Sequence, residues 1–241
     1  MHTFPRRILP VFIPFAGCRN RCVYCNQNRI TGTGGGSLLE NASRQISDYL
    51  SYSDKWDELA FYGGSFTCIP QKDRLALYKL AREKGFDRLR FSTSPDCVGN
   101  DVLDEAEAFG VRTVELGVQS LSDGVLSLNK RPYDAETCLK AIKSVSRRFI
   151  TGVQMMTGMY GETAADVANT ADSLAALKPA YARIYPTVVL ADTELAELYK
   201  TDCYTPPLSC GDASPYRIRI RRSDISGYKC NPHRSAINRQ S

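Results

Sequence analysis

Three of the nine cysteines fall within eight residues: Cys18, Cys22 and Cys25 in the stretch GCRNRCVYC, with Tyr24 just before the last. Thiols crowded at C-x3-C-x2-C spacing on one loop read as a metal site. A structural zinc wants four ligands in a closed tetrahedron, usually as two separated pairs. The fourth ligand is missing, because the only histidines, His2 and His233, lie at opposite ends of the chain. Three thiolates fit a cubane iron–sulfur cluster better, with three irons held by protein and the fourth left open. The loop is then an electron source beside a vacant coordination position. Structural zinc or chance clustering is the blander alternative. Scarce histidine also argues against acid–base hydrolysis at neutral pH.

The chain has 241 residues, 43% hydrophobic and 10% aromatic, as expected of a globular protein with one sizeable core. No apolar run approaches the roughly 18–20 residues that cross a bilayer. The N-terminal MHTFPRRILPVFIPF is broken by Pro10 and Pro14 and lacks a cleavage site, so no signal peptide is expected. A reducing cytoplasm follows, and with it thiols rather than disulfides. Cys68, Cys97 and Cys138 are expected to be isolated and inert, and Cys203, Cys210 and Cys230 are too raggedly spaced for a second cluster. The net charge of +5 sits wholly in residues 211–241, which carry seven basic groups against Asp212 and Asp224. Positions 1–210 are neutral, so a basic, nucleic-acid-coating body is not indicated.

Six short apolar runs, at 8–15, 58–64, 88–94, 113–120, 149–156 and 181–187, read as strands. Helical periods lie between them. Residues 72–84 group Leu75, Leu77, Tyr78, Leu80 and Ala81, and residues 134–148 group Cys138, Leu139, Ala141, Ile142 and Val145. Asp134 and Thr163 are the expected N-caps of two helices. Strand–helix units in series imply parallel strands with right-handed crossovers, in a doubly wound sheet or a barrel. Either puts working residues at the C-terminal strand ends, where GG at 63–64, STSPD at 92–96 and GVQS at 117–120 fall. The glycine run at 32–36 reads as a flexible loop. Lys130 and Arg131 read as surface charge or as an anchor for an anionic substrate, and Met155 and Met156 as core filler.

The cysteine loop resembles that of the radical S-adenosylmethionine (SAM) enzymes, with Tyr24 in the aromatic position before the last cysteine. FYGGSF (61–66), FSTSPD (91–96) and VELGVQSLSDGVLSLNKRPYDAET (114–137) resemble the motifs that follow the loop in those enzymes. GVQMMTGMYGET (152–163) and ARIYPTVVLADTELAELY (182–199) resemble the later strands of one subgroup, that of the Elongator catalytic subunit and its bacterial relatives. The resemblance implies an α/β fold, a partial, about six-stranded parallel β/α barrel. It implies a [4Fe–4S] cluster on Cys18, Cys22 and Cys25. SAM would be lined by Tyr24, Gly63, Gly64, Ser65, Ser92, Ser94, Glu115 and Gln119. In such enzymes the reduced cluster splits SAM to methionine and a 5′-deoxyadenosyl radical, which takes hydrogen from a substrate. A tRNA base is the first expectation for that substrate and a tetrapyrrole or other small metabolite the second, with a ferredoxin or flavodoxin as electron donor. A non-catalytic iron–sulfur or zinc protein is the reading from another class. The resemblance spans about residues 8–208. The domain expectation is therefore a radical SAM core at 1–210, lacking further C-terminal elements, and a disordered or aberrant basic tail at 211–241.

Overall fold

A computed structural model describes residues 7–27 and 36–206. The tail at 211–241, Cys210, Cys230 and most of the glycine run at 32–36 lie outside the described residues.

Six strands are joined in a single parallel sheet: β1 (Ile8–Phe12), β2 (Glu58–Tyr62), β3 (Leu89–Thr93), β4 (Val111–Gln119), β5 (Ile150–Thr157) and β6 (Tyr181–Pro186). Their order in space is their order in sequence. A doubly wound sheet reverses direction at a switch point; this one never does, and the alternative left open by the strand pattern closes in favour of the barrel type. Among the described residues seven α-helices accompany the sheet: α1 (Leu38–Tyr52), α2 (Gln71–Glu83), α3 (Asn100–Ala108), α4 (Asp123–Leu128), α5 (Ala135–Ser146), α6 (Ala164–Ala176) and α7 (Glu194–Lys200).

The caps are where the sequence puts them. Asp134 accepts the Thr137 N–H, and Thr163 forms a capping box with Asp166. Of the expected apolar face of α2, Leu77, Tyr78, Leu80 and Ala81 are buried and Leu75 is half-buried. Between sheet and helices Phe66 stacks on Phe61 and on Phe91, each at 4.9 Å between ring centres. That stack anchors the short turn Phe66–Cys68 that follows β2.

The sheet is curled. β2 and β6 are four strand spacings apart, about 19 Å if the sheet were flat. Yet Arg183 Nη2 of β6 donates to Tyr62 Oη of β2 at 3.4 Å. The inner face holds a buried charge network that bridges this concavity. Glu115 Oε1 accepts from Tyr181 Oη (2.9 Å), Arg183 Nη2 (3.0 Å), Tyr62 Oη (3.2 Å) and Arg90 Nη1 (3.3 Å). Gln154 Nε2 donates to Glu115 Oε2 and to Ser92 Oγ, both at 3.1 Å. Arg90 also binds Glu58, at 2.6 Å. Two carboxylates thus face two guanidinium groups, which makes burial of the set tolerable.

The expectation that Cys68 and Cys97 are isolated thiols is overturned, because they form a disulfide. Cys68 ends the turn after β2 and Cys97 ends the matching turn Pro95–Cys97 after β3. Adjacency of β2 and β3 brings the two turns side by side, a fact that strand order alone supplies. Cys138 is a buried free thiol and Cys203 an exposed one.

Replacing Glu115 with alanine leaves Arg90 and Arg183 facing each other without their shared counter-charge. Breaking a buried pair from one side costs about 3–5 kcal/mol, and Glu115→Ala is expected to lower the urea midpoint accordingly. A midpoint within error of wild type would show that the network does not hold the curl.

Candidate active site

All three clustered cysteines open on one cleft of about 600 Å³ at the C-terminal ends of the strands. The cysteine loop leaves β1 and folds directly onto the end of β2. Ser65 N–H donates to Ala16 O at 2.8 Å and Phe15 N–H to Gly63 O at 3.3 Å. A Cβ on Gly64 would lie 2.4 Å from Ala16 O and 2.7 Å from Ile13 O, and one on Gly17 would lie 2.2 Å from Ser65 O. Backbone meets backbone here, and a side chain of any size is excluded. Gly63 is different: its neighbours would tolerate a Cβ, but its φ of +90° favours glycine. From the far end of the chain, Leu195 N–H donates to Val23 O at 2.8 Å and Asn26 Nδ2 to Ala191 O at 3.1 Å. The loop is held from both ends of the barrel.

Tyr24, Gly63, Gly64, Ser65, Ser92, Ser94 and Gln119 line the same cleft. Ser65 Oγ sits 3.8 Å from Cys18 Sγ. Ser92 is engaged by Gln154, and the Ser94 hydroxyl donates to Asp96. Gln119 ends β4 at a register shift, with φ at +67°. Its Oε1 is buried without a hydrogen-bond partner. A non-glycine residue in the left-handed region that also strands a buried acceptor costs a few kcal/mol; such a group is set up to receive a donor from a ligand. Glu115 stands apart from the other seven. It does not line the cleft but lies fully buried beneath it, saturated by the network of Arg90, Arg183 and Gln154.

Arg131 is the residue that sequence reasoning undervalued. Lys130 is exposed and paired with Glu194, as a surface charge would be. Arg131 instead turns inward, donating to Cys22 Sγ at 2.9 Å, to Gly117 O at 3.0 Å and to Tyr24 Oη at 3.4 Å. Burial lowers its pKa, but Tyr133, Tyr24 and Cys22 around it outweigh that and push it above the usual guanidinium value. Met155 is core, while Met156 lines the cleft.

Burial pushes the Cys25 thiol up to about 11, and the nearby Cys22 and Cys18 add to the shift, a sign that the three sulfurs share one neighbourhood. They are not packed as tightly as a mononuclear site requires. Among the described residues, the trio of ligand atoms lying within 4.8 Å of one another is Cys68, Asp96 and Cys97, whose sulfurs are already bonded to each other. A single tetrahedral zinc needs sulfurs about 3.8 Å apart. Sulfurs set wider round an open cleft suit a polynuclear cluster.

The model of the Radical SAM superfamily matches residues 12–174. The chain belongs to the radical SAM superfamily. Radical SAM proteins are enzymes that bind a [4Fe–4S] cluster and SAM. An uncharacterized protein of Methanocaldococcus jannaschii is 28% identical over 67% of this chain and 52% of its own length. The tRNA uridine(34) acetyltransferase of the same organism is 30% identical over 49% of this chain and 23% of its own length. The chain thus spans about half of one relative and a quarter of the other. In fold it is similar to the Elp3 structure of Methanocaldococcus infernus, with a TM-score of 0.57, 20% identity, and coverage of 83% of this chain and 50% of that one. These likenesses support the Elongator-like character read from the motifs.

The residues present fit the superfamily's cofactors. Three thiols without a fourth protein ligand, a glycine-built strand end and an unpartnered Gln119 carbonyl all face one cleft. In the metal-free protein, a thiol raised to about 11 carries about a hundredfold less thiolate at pH 8 than a free cysteine. Cys25 should therefore be alkylated slowly by iodoacetamide, with a rate still climbing tenfold per pH unit above pH 9. A plateau near pH 9, followed by peptide mapping, would contradict the buried, crowded thiol.

Proposed function

We propose that Cys18, Cys22 and Cys25 hold a [4Fe–4S] cluster, and that SAM lies along Gly63, Gly64, Ser65, Ser92, Ser94 and Gln119 with Tyr24 beside it, in an enzyme acting on a tRNA base. The observation that carries this reading is the convergence of the three thiols with those backbone and side-chain groups on one cleft. A cluster held by Cys18, Cys22 and Cys25 would supply the one-electron reduction by which the superfamily cleaves SAM to start hydrogen abstraction.

The chain's own residues do the rest. The Gly63 and Gly64 backbone on the cleft wall receives the polar end of SAM. Gln119 Oε1 accepts a hydrogen bond that nothing in the protein supplies. Arg131 offsets negative charge on the thiolates through its contact with Cys22. Glu115 acts at one remove, fixing Gln154, and through it Ser92, from beneath. Met156, Val188 and Leu190 on the cleft wall keep water from a reactive centre.

For the substrate, the charged side chains lining the cleft are Arg131 and Arg183, and among the described residues no carboxylate lines it. That balance favours an anionic substrate such as a nucleotide chain. The likeness to a tRNA uridine(34) acetyltransferase points the same way. No described helix is long and apolar enough to cross a membrane; a cytoplasmic site of action and a ferredoxin- or flavodoxin-type donor are part of the same proposal.

Anaerobic reconstitution should load about four irons and four sulfides per chain. Alanine at any one of Cys18, Cys22 or Cys25 should lower iron content severalfold and abolish 5′-deoxyadenosine release. Addition of tRNA should raise that release, whereas porphyrinogens should not. One zinc and no sulfide would reject the reading, and a response to porphyrinogens alone would replace the substrate.

A further inference from the structure

The Cys68–Cys97 bond ties together the two loops that form one side of the cleft. Cys68 lies just beyond Gly63–Ser65 and Cys97 just beyond Ser92–Ser94. The cysteine loop leans on the same spot. A Cβ on Gly17 would lie 2.8 Å from Ile69 N and 3.0 Å from the Cys68 carbonyl carbon. Arg19 of that loop pairs with Asp96, the neighbour of Cys97, at 3.5 Å. One covalent link therefore bears on three backbone segments that shape the cleft.

The bond is reachable. Cys97 is 8% exposed, but Cys68 is only half-buried. Its loss would not unravel the loops, because other contacts join them. Thr67 N–H donates to Thr93 Oγ1 at 3.2 Å, the two threonine hydroxyls bond each other, and Arg74 Nη1 holds the carbonyls of Thr67 and Ile69 from below. Reduction would leave the fold in place and the loops freer, so that a ligand must order them on binding.

Resting on the cofactor reading above, we propose that Cys68–Cys97 is a thiol–disulfide switch that sets how tightly the cleft holds SAM, with a dithiol as its reductant. A thiolate of the dithiol attacks Cys68 Sγ, and the Cys97 sulfur leaves as thiolate and takes up a proton. The second thiol of the reductant then displaces Cys68 and closes a disulfide on the reductant. One S–S bond breaks here and one forms there. Two electrons and two protons enter this protein, and none come from the cluster.

The test uses the cluster-loaded full chain under anaerobic conditions, titrated with dithiothreitol, with the state of Cys68 and Cys97 followed by alkylation and mass spectrometry. Reduction should weaken SAM binding about fivefold or more by equilibrium dialysis. It should also speed amide hydrogen exchange over 63–69 and 92–98 while leaving β4 and β5 unchanged. The double variant Cys68→Ser, Cys97→Ser should bind like the reduced protein and ignore the dithiol. Should that variant fail to fold, the wild-type titration still decides. Affinity and exchange that do not move while the bond is reduced would make the disulfide a staple and overturn the proposal. Loss of iron–sulfur absorption with no SAM binding in either state would sink the cofactor reading instead, and hydrogen exchange would still judge the switch.

Discussion

The structure depends on a carboxylate that must not be exposed. Glu115 sits on the concave face of the sheet and gathers hydrogen bonds from β2, β3, β5 and β6. Uncompensated, that charge would be intolerable in a core. Compensated, it draws the side chains of a six-stranded sheet toward one point, and only a curved sheet brings them there. The curve in turn makes the strand ends converge, which turns six separate loops into one cleft. The functional groups owe their proximity in part to a carboxylate that does not itself line the cleft.

The second constraint is close approach of main chain to main chain. The loop after β1 could not lie against the end of β2 if Gly17 or Gly64 carried a Cβ. Main-chain contacts thus fix where the loop lies, and Arg131 and Ser65 add side-chain contacts to Cys22 and Cys18. This explains how a short loop can hold ligands at defined positions although its own side chains are mostly polar and half-exposed.

Much of this was readable from the residue order. Short apolar runs placed all six strands, since strands covered on both faces are apolar throughout, and period 3.6 placed the faces of α2 and α5. The cysteine spacing and the glycine pair marked the site, since few other arrangements need those residues together. Helix α1 went unread, although Ser37 and Glu40 spell the capping box that begins it. What stayed hidden were relations between distant segments. Cys68 and Cys97 are 29 residues apart and meet only because β2 neighbours β3. Glu115 looks like any polar strand-end residue until Tyr181 and Arg183 arrive from β6. Arg131 looks like its neighbour Lys130, and a single turn of backbone sends one to solvent and the other to Cys22.

The hydrogen bonds that reach the cysteine loop from residues 191–195 set an order of events at birth. The Asn26–Ala191 contact spans 165 positions of the chain. During synthesis, strands can join the growing sheet one after another, each beside its predecessor. The loop emerges among the first, yet its last restraints wait for residues made near the end of the described chain. A nascent chain thus carries its sulfurs on a half-fastened loop until residues 191–195 have emerged to meet it.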